Sequence, residues 1–281
     1  SLVAIVEGLV SQPVRTVPRV HKVRIKSGCI ARGTSVTAAV DASRRNEIRR
    51  NHTATHLLHA ALRRVLGEHV TQAGSLVASD RLRFDFTHQA PLTTEEIDEV
   101  EQVVSTQIGF NTPVQTEERL TEEAISEGAI ALFGEKYGER VRVVSIPQFS
   151  MELCGGTHCV ATGDIGAFTI EQESSIAAGV RRIEALTGDT AVRHIQYSRI
   201  TLRQLTDVLG ASGTKALEVI RRLQQDTNQL TREISALKVK SALSDEATDK
   251  TDVVINGVTL MTRKVSGLDK VAMRTLADSL K

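Results

Sequence analysis

Apolar residues spaced three and four apart predict two helices in the first half of the chain. Leu58, Leu62 and Val65 recur at this spacing within residues 51–68, which is the period of a helix with one buried face. A second helix is predicted over residues 93–109, because this segment opens with a capping box and carries an apolar stripe. The pattern therefore indicates amphipathic helices in this part of the chain.

Beyond Gly188 the sequence becomes helical and nearly free of glycine. A first helix ends at a break over residues 210–213, and a longer helix follows whose apolar seam alternates steps of four and three. Such a pair predicts an antiparallel helical hairpin, which either packs on its own domain or serves as an arm for spacing or self-association. The seam consists of Ala216, Ile220, Leu223, Thr227, Leu230, Ile234 and Leu237.

Short alternating or apolar runs predict strands. They do not alternate regularly with helices as parallel βαβ units do, so the sequence predicts an α+β fold with an antiparallel sheet. Residues 20–25 and 35–40 predict part of a small β unit, and Asn256-Gly257 between two apolar runs predicts a β-hairpin. The other predicted strands are 75–77, 81–86, 141–146, 150–153, 167–173 and 180–186.

These patterns divide the chain into four predicted segments. They are a partial β-barrel-like segment (1–42), an α+β domain (43–188), the helical hairpin (189–247) and the start of a further domain (248–281). The chain begins abruptly at Ser1 without an initiator Met, and its last segment is too short to form a domain alone. We therefore expect a piece of a longer parent protein, cut at both ends.

Composition excludes several classes of protein. With 41% hydrophobic and 25% charged residues, the 281-residue chain is not predominantly disordered. It has no apolar run of eighteen residues and no leader-like start, so we expect a cytoplasmic protein without a membrane segment. Three cysteines fit a reducing compartment and leave thiolates free for metal or chemistry. Aromatic residues make up only 3%, without Trp, which argues against base-stacking platforms.

Charge is segregated along the chain although the formal net charge is only +1. Residues 1–64 carry twelve Arg or Lys and three acidic residues, whereas residues 91–127 carry ten acidic residues and one Arg. The basic segment could anchor a polyanion, although charge runs more often form a solvated face. Its densest cluster directly precedes a pair of histidines and consists of Arg44, Arg45, Arg49 and Arg50.

Two short motifs together predict a metal site. His52 and His56 stand four apart on the first predicted helix and so project from one face. Cys154 and His158 flank a Gly-Gly turn that brings their side chains together. This nitrogen and sulfur donor set suits Zn²⁺ better than Mg²⁺ or Ca²⁺. His52-Thr53-Ala54-Thr55-His56 lacks the Glu that zinc peptidases use as general base, which argues against that class.

The remaining cysteines and one more histidine are weaker candidates. Cys159, next to the second motif, either substitutes as a ligand or simply packs, and free cysteines are commonly buried. Cys29 is expected to be a bystander. His59 is expected to be one as well, although it lies one further turn along the histidine face.

The order and wording of these motifs resemble the editing domain of alanyl-tRNA synthetases, with related modules in threonyl-tRNA synthetases and free-standing alanyl-tRNA editing proteins. The close resemblance covers about residues 20–188, and the helical hairpin resembles the linker that follows in that family. The resemblance implies that 43–188 is the editing domain of a C-terminal synthetase fragment. The segments that carry it are 52–63, 74–77, 83–86, 154–158 and 179–184.

The resemblance implies hydrolysis of the ester that joins serine or glycine wrongly to the tRNA for alanine. It implies zinc ligation by the two histidines of the helix and the Cys-His pair of the turn. It further implies that Gln72 lies near the scissile ester, with Thr53 and Ser75 as polar lining, and that Arg181 and Arg182 contact the acceptor stem. Since nothing in the chain matches the ATP-binding arginines of a class II core, we do not expect it to activate alanine.

Two alternatives stay open at this level. Four protein ligands complete a tetrahedral zinc, whereas a hydrolytic zinc keeps a position open for water. The metal is therefore either catalytic, with one loose ligand or a fifth position, or it only positions substrate. Two other functions are alternatives to an editing fragment of a synthetase. One is a non-catalytic tRNA-binding module that zinc stabilises, and the other is a free-standing editing protein.

Overall fold

The computed structural model describes residues 3–10, 20–131, 137–244, 251–262 and 270–279. The chain separates into two compact units, Ser1–Thr190 and Ala191–Lys281. The first unit is α+β and all of its strand pairs are antiparallel, which confirms the predicted fold class. The predicted boundary at residue 247 lies outside the described residues, and the division into four segments stays a prediction.

Over its described residues, the first unit has three antiparallel sheets and three α-helices. One sheet pairs β1 with β2, a second has the order β3-β4-β9-β8, and a third has the order β5-β6-β7. The helices are α1 (Ala42–Leu66), α2 (Thr94–Gly109) and α3 (Thr121–Ser126), and a short 3-10 helix spans Thr162–Ile165. The strands are β1 (Val3–Val10), β2 (Val20–Ser27), β3 (Gln72–Val77), β4 (Leu82–Thr87), β5 (Gln115–Leu120), β6 (Arg140–Ile146), β7 (Ser150–Leu153), β8 (Phe168–Ala177) and β9 (Val180–Thr187).

Helix α1 is the central element of this unit. It contacts β3, β4, β7, β9 and α2, and its residues from Asn51 to Leu62 are buried except for half-buried His52. The main core forms between this helix, the β4 and β9 strands and α2. Its largest fully buried apolar residues are Phe84, Phe86, Leu57, Leu58, Leu62, Leu82, Ile146, Ile165 and Ile183.

The start of α2 agrees with the sequence prediction, whereas the start of α1 differs from it. Helix α2 begins with the predicted capping box, in which Thr93 and Glu96 bond each other's backbone N–H. Helix α1 begins at Ala42, nine residues before the predicted start, because the Asp41 side chain caps it by accepting from the N–H of Arg44 at 3.0 Å. The early turns are polar and show no apolar period.

One predicted strand is wrong. Residues 35–40 form no regular structure and are exposed, with Val36 at 60% and Val40 at 61%. Alternation alone does not make a strand, because a strand also requires a neighbouring edge with which to pair its backbone groups. The β unit in this part of the described chain is therefore the β1–β2 pair alone.

The second unit is mainly helical. It contains most of α4 (Gly188–Leu209), then α5 (Thr214–Ser244), β10 (Thr251–Ile255), β11 (Val258–Thr262) and α6 (Lys270–Ser279). The turn between β10 and β11 has Asn256 at φ 50° and Gly257 at φ 83°, which confirms the predicted hairpin.

The two predicted helices of the hairpin are present, and the apolar seam of α5 is largely exposed, although its first member Ala216 is buried. The seam residues Leu223, Leu230 and Leu237 are 53%, 57% and 64% exposed. Helix α5 instead makes its main contact with α6. Helical period reports which face is apolar, and a partner is needed to bury that face. None of the described helices is long and apolar enough to cross a membrane.

Candidate metal centre

The histidines of α1 stand on the face that meets the end of β7. His52 and His56 are one turn apart, and their rings stack with centroids 5.3 Å apart. His56 is buried at 7% exposure, whereas His52 is half-buried. The helical spacing of four thus aligns both imidazoles as the sequence predicted.

The Cys-His turn follows β7 directly. Cys154 is the first residue after the strand, and its N–H bonds the carbonyl of Arg142 at 2.9 Å, which extends the pairing of β6 with β7 by one step. The N–H of Gly156 then donates to the Cys154 sulfur at 3.4 Å, so the turn folds back over the thiol. This places His158 beside Cys154, as predicted from the sequence.

The two glycines of the turn have different roles. A Cβ at Gly156 would overlap the imidazole ring of His52, whereas a Cβ at Gly155 would meet nothing within 4 Å. Neither is among the residues with positive φ. Gly156 is therefore required because the backbone approaches the His52 ring closely, and not because of an unusual backbone angle.

The structure brings the four predicted ligands together. The Cys154 sulfur lies 3.4 Å from His52 Nε2 and 3.3 Å from His158 Nε2, and the ligand atoms of all four residues lie within 4.8 Å of one another. Sulfur and nitrogen atoms that share a tetrahedral zinc are separated by about 3.5 Å, from bond lengths of about 2.3 and 2.0 Å. The observed separations are close to that value.

The fourth ligand provides a test of whether the residues fit a metal. His56 Nε2 is buried and has no hydrogen-bond partner among the described residues, although the opposite nitrogen of the ring is bonded. A buried ring nitrogen without a partner is costly, and it is explained when its lone pair faces a cation. Three imidazoles and a thiolate are also the donors that zinc prefers, so the residues fit this ion.

The electrostatics of the cluster prepare two of its ligands for binding. Burial alone would raise the pKa of Cys154, but hydrogen bonds from His158 and His52 outweigh it and lower the pKa to about 3. Burial lowers the pKa of His158 to about 4. The sulfur is therefore a thiolate and this imidazole is neutral near pH 7, which are the forms that ligate a metal.

His56 differs from these two ligands in its titration. Burial alone would lower the pKa of His56, but the negative charge of Glu152 outweighs burial and raises the pKa to about 10. A metal that binds at Nε2 therefore displaces a proton from this ring, and its binding weakens as the pH falls.

Glu152 and His59 form a second layer behind His56 that the sequence prediction missed. The Glu152 carboxylate lies 2.7 Å from His56 Nδ1 and 3.0 Å from His59 Nδ1, and both Glu152 and His59 are almost fully buried. Residues i and i+2 of a strand share a face, so the position of Glu152 two residues before Cys154 was a signal for its placement. The expectation that His59 is a bystander is therefore not supported by its contacts.

Thr53 also supports the cluster. Its hydroxyl accepts the N–H of Cys159 at 3.0 Å and lies 3.3 Å from His158 Nδ1, so it joins α1 to the ligand loop. Cys159 itself is 8% exposed and packs in the main core, and it is not among the four clustered residues. Of its two predicted roles, the structure therefore favours packing.

Gln72 and Ser75 lie on β3, the edge strand beside α1. The Gln72 amide donates to the Ser75 hydroxyl at 3.4 Å. The hydrogen bonds described for these two side chains involve none of the four clustered residues. Their role as pocket residues stays a prediction.

The predicted tRNA-binding arginines fall into two groups. In the first turns of α1, Arg44 is exposed and Arg45 is half-buried, while Arg50 donates to the carbonyl of Asp164 at 3.0 Å and Arg49 contacts Asn46 at 3.5 Å. On β9 both arginines are in ion pairs. Arg181 pairs with Glu173, and Arg182 binds both carboxylate oxygens of Asp85 at 2.7 and 2.8 Å.

The sequence of this region matches a known family model, and the chain as a whole is similar to known proteins. Residues 141–184, which include all but the first residue of β6, the β7 strand and the Cys-His turn, match the family model described as the threonyl and alanyl tRNA synthetase second additional domain. The chain is 48% identical over 253 residues to the alanine–tRNA ligase of Idiomarina loihiensis, covering 88% of this chain and 29% of that protein.

Two further relatives agree. The alanine–tRNA ligase of Solibacter usitatus is 48% identical over 255 residues, covering 90% of this chain and 29% of the relative. That of Nitrosococcus oceani is 44% identical over 263 residues, covering 93% of this chain and 30% of the relative. The chain thus spans just under a third of the length of the relatives it matches.

Proposed function

Because the chain corresponds in sequence to a segment of alanine–tRNA ligase that includes the second additional domain, we propose that it is the editing part of such an enzyme. It hydrolyses the ester of tRNA(Ala) that has been mischarged with serine or glycine, and it meets this substrate in the cytoplasm. The observation that carries the proposal is the clustering of His52, His56, Cys154 and His158 within 4.8 Å. The Cys-His pair of this cluster lies in the segment that matches the family model.

A second, hydrolytic site is needed because binding alone does not distinguish alanine well enough from glycine and serine. A pocket that accepts alanine cannot strongly reject the smaller glycine, nor a near-isostere with one added hydroxyl, because the differences in binding free energy are only about 1–3 kcal/mol. Accurate charging therefore requires that wrong products be removed after they form. Such a site needs a place for the tRNA end and a water that attacks the ester carbonyl.

We propose separate roles for the metal ligands and for the polar residues near them. A bound zinc would act as a Lewis acid that polarises the ester carbonyl oxygen or binds the lone pair of the substrate's neutral amino group. Thr53 holds the loop of His158, and Gln72 and Ser75 offer an amide and a hydroxyl on the neighbouring edge strand. We propose that Thr53 and Ser75 line the pocket for the serine side chain, whose hydroxyl is absent from alanine, and that Gln72 lies near the scissile ester.

The tRNA would be held by positive charge rather than by base stacking. The basic start of α1 precedes His52 directly, so phosphates bound there lie on the same helix as the metal ligands. Arg181 and Arg182 are proposed to contact the acceptor stem as well. A phosphate would have to compete with Glu173 and Asp85 for these two side chains.

The experiment that tests the proposal is deacylation of serine-charged tRNA(Ala) by Cys154→Ala, with Cys29→Ala as control because Cys29 is exposed and outside the cluster. We expect Cys154→Ala to abolish hydrolysis while tRNA binding stays within a few-fold, since the change removes none of the arginines proposed to contact phosphates. Gln72→His should lower the rate by about tenfold by crowding the pocket, and alanine-charged tRNA should be spared by the parent chain.

The outcomes separate the competing functions. If Cys154→Ala hydrolyses serine-charged tRNA at the parental rate, the site is not this cluster. If the parent chain binds tRNA but hydrolyses nothing, and removal of zinc melts its helices, the chain is the zinc-stabilised binding module instead. If Cys154→Ala loses hydrolysis and keeps the circular dichroism spectrum of the parent chain, the result supports editing.

A further inference from the structure

The buried carboxylate of Glu152 lies between two histidines of the same helix. His56 and His59 are three residues apart on α1, and each directs Nδ1 to a different oxygen of Glu152, at 2.7 and 3.0 Å. Glu152 is 2% exposed and His59 is 1% exposed. A carboxylate and an imidazole buried this deeply need a reason, because burying polar groups costs free energy unless they are paired.

Hydrogen-bond accounting determines the tautomer of His56. An ionised carboxylate only accepts hydrogen bonds, so Nδ1 of both histidines must carry a proton and donate it. Glu152 presents one carboxylate oxygen to each Nδ1, at 2.7 and 3.0 Å, so one acceptor group meets two donors. In neutral His56 the lone pair is then on Nε2, the atom that faces the cluster without a hydrogen bond of its own among the described residues.

His59 lies outside the group of four clustered ligands, although its Nε2, like that of His56, is buried without a hydrogen-bond partner among the described residues. Its ring packs against Phe84 with centroids 5.2 Å apart, and it is not among the clustered ligands. Its described polar contact is the bond to Glu152. Ser150 adds a longer contact to the same carboxylate oxygen at 3.4 Å. His59 therefore holds the Glu152 oxygen that His56 does not bind.

Charge gives a second reason for this arrangement. Three neutral imidazoles and one thiolate around a divalent cation leave a formal charge of +1 in a largely buried place. The single negative charge of Glu152 cancels it at hydrogen-bond distance from a ligand. A buried site without net charge avoids much of the desolvation cost that a charged one would carry.

From these contacts we infer that Glu152 and His59 are a positioning pair, which holds His56 as an Nε2 ligand and sets the affinity of the metal site. The inference rests on the metal site proposed above but not on the editing reaction. Its test therefore measures metal binding and not hydrolysis. Carboxylates that hold a ligating histidine typically contribute 10- to 100-fold to metal affinity.

The experiment measures zinc affinity of the full chain by competition with a chromophoric chelator. Glu152→Gln should weaken zinc binding by about 10- to 100-fold, because the amide of Gln cannot accept from both histidines. Glu99→Gln, which changes an exposed acidic residue on α2, should leave the affinity unchanged. Glu152→Gln that folds and binds zinc within threefold of the parent overturns the inference.

Two variants of His59 keep the test valid if Glu152→Gln does not fold. His59→Gln retains a side-chain donor for Glu152, whereas His59→Phe fills the space without one. We expect His59→Phe to lose about tenfold in zinc affinity and His59→Gln to lose clearly less. Equal affinities for the two variants would contradict the positioning role. His21→Gln, at an exposed position on β2, is the control.

Two further readouts separate positioning from simple stabilisation. A merely structural pair would lower the melting temperature of the zinc-free and zinc-loaded chains equally, whereas a positioning pair lowers mainly the increase that zinc produces. Nitrogen NMR of the zinc-loaded parent should show His56 protonated at Nδ1. A proton at Nε2 would overturn the inference.

Discussion

Helices α1 and α5 are both long and amphipathic, but only one of them is buried. Residues Asn51–Leu62 of α1 are covered by strands and by α2, and the polar residues among them have defined partners. Asn51, for example, donates to the carbonyl of Ala78 at 2.8 Å and accepts from the Thr187 hydroxyl at 2.7 Å. The apolar seam of α5 is largely exposed over the described residues.

The difference shows what a tertiary partner adds to a periodic sequence. Both helices have apolar residues three and four apart, so their local signals are alike. In α1 the same face that packs on the sheet also carries His52 and His56, and its burial aligns them with β7. Among the described residues, helix α5 contacts mainly α6, and the leucines of its seam stay exposed.

The largest expected difference concerns the apolar residues themselves. Leu58→Ala should lower the free energy of unfolding of its unit by about 2–5 kcal/mol, because it leaves a cavity in a packed core. Leu230→Ala on α5 should cost less than about 1 kcal/mol, since this residue is 57% exposed. Urea unfolding followed by circular dichroism measures both. Similar losses would show that the α5 seam is buried in solution.

The close approach of the Cys-His turn to α1 is tested by its two glycines. Gly156→Ala should cost about 1–3 kcal/mol and weaken zinc binding, because its methyl group would overlap His52. Gly155→Ala is the matched control and should be nearly neutral, since nothing lies within 4 Å of the added Cβ. Thermal unfolding with and without zinc measures both effects. A neutral Gly156→Ala would mean that the turn does not contact α1 in solution.

The basic start of α1 should contribute to tRNA binding in a salt-dependent way. Replacing Arg49 and Arg50 with Ala should weaken binding and reduce the slope of log affinity against log salt by about 1 for each phosphate that is no longer neutralised. We expect the same result when Arg181 and Arg182 are replaced. The control Glu99→Gln, on α2, should leave the tRNA affinity and its salt dependence unchanged. Affinities measured between about 50 and 200 mM salt decide it, and a parent affinity that does not change over this range would contradict electrostatic docking.

The smallest expected effect is a change in self-association through the α5 seam. If the helices self-associate, Leu223→Asp with Leu230→Asp should shift the chain towards the monomer, because charges would enter an apolar contact. Arg232→Ala, on the same helix but outside the seam, is the control. Sedimentation equilibrium over a range of concentrations measures the mass. A parent that is monomeric throughout shows that self-association is wrong.

Much of the site could be predicted because its parts are local. The spacing of four on a helix aligned His52 with His56, and the Gly-Gly turn placed Cys154 beside His158. The prediction of residues 35–40 as a strand failed because strand pairing depends on a distant edge. The start of α1 was missed because its first turns are polar and lack an apolar period, although Asp41 caps them.

The sequence by itself determined the helical period of α1 and α5, the hairpin turn at Asn256-Gly257 and the donor types of the metal centre, since each depends on residues within a few positions of one another. Tertiary structure alone decided that α1 meets the end of β7, far away along the chain, and that Glu152 and His59 pair behind His56. The physical reason is that burial and hydrogen-bond partners belong to packed surfaces and not to segments.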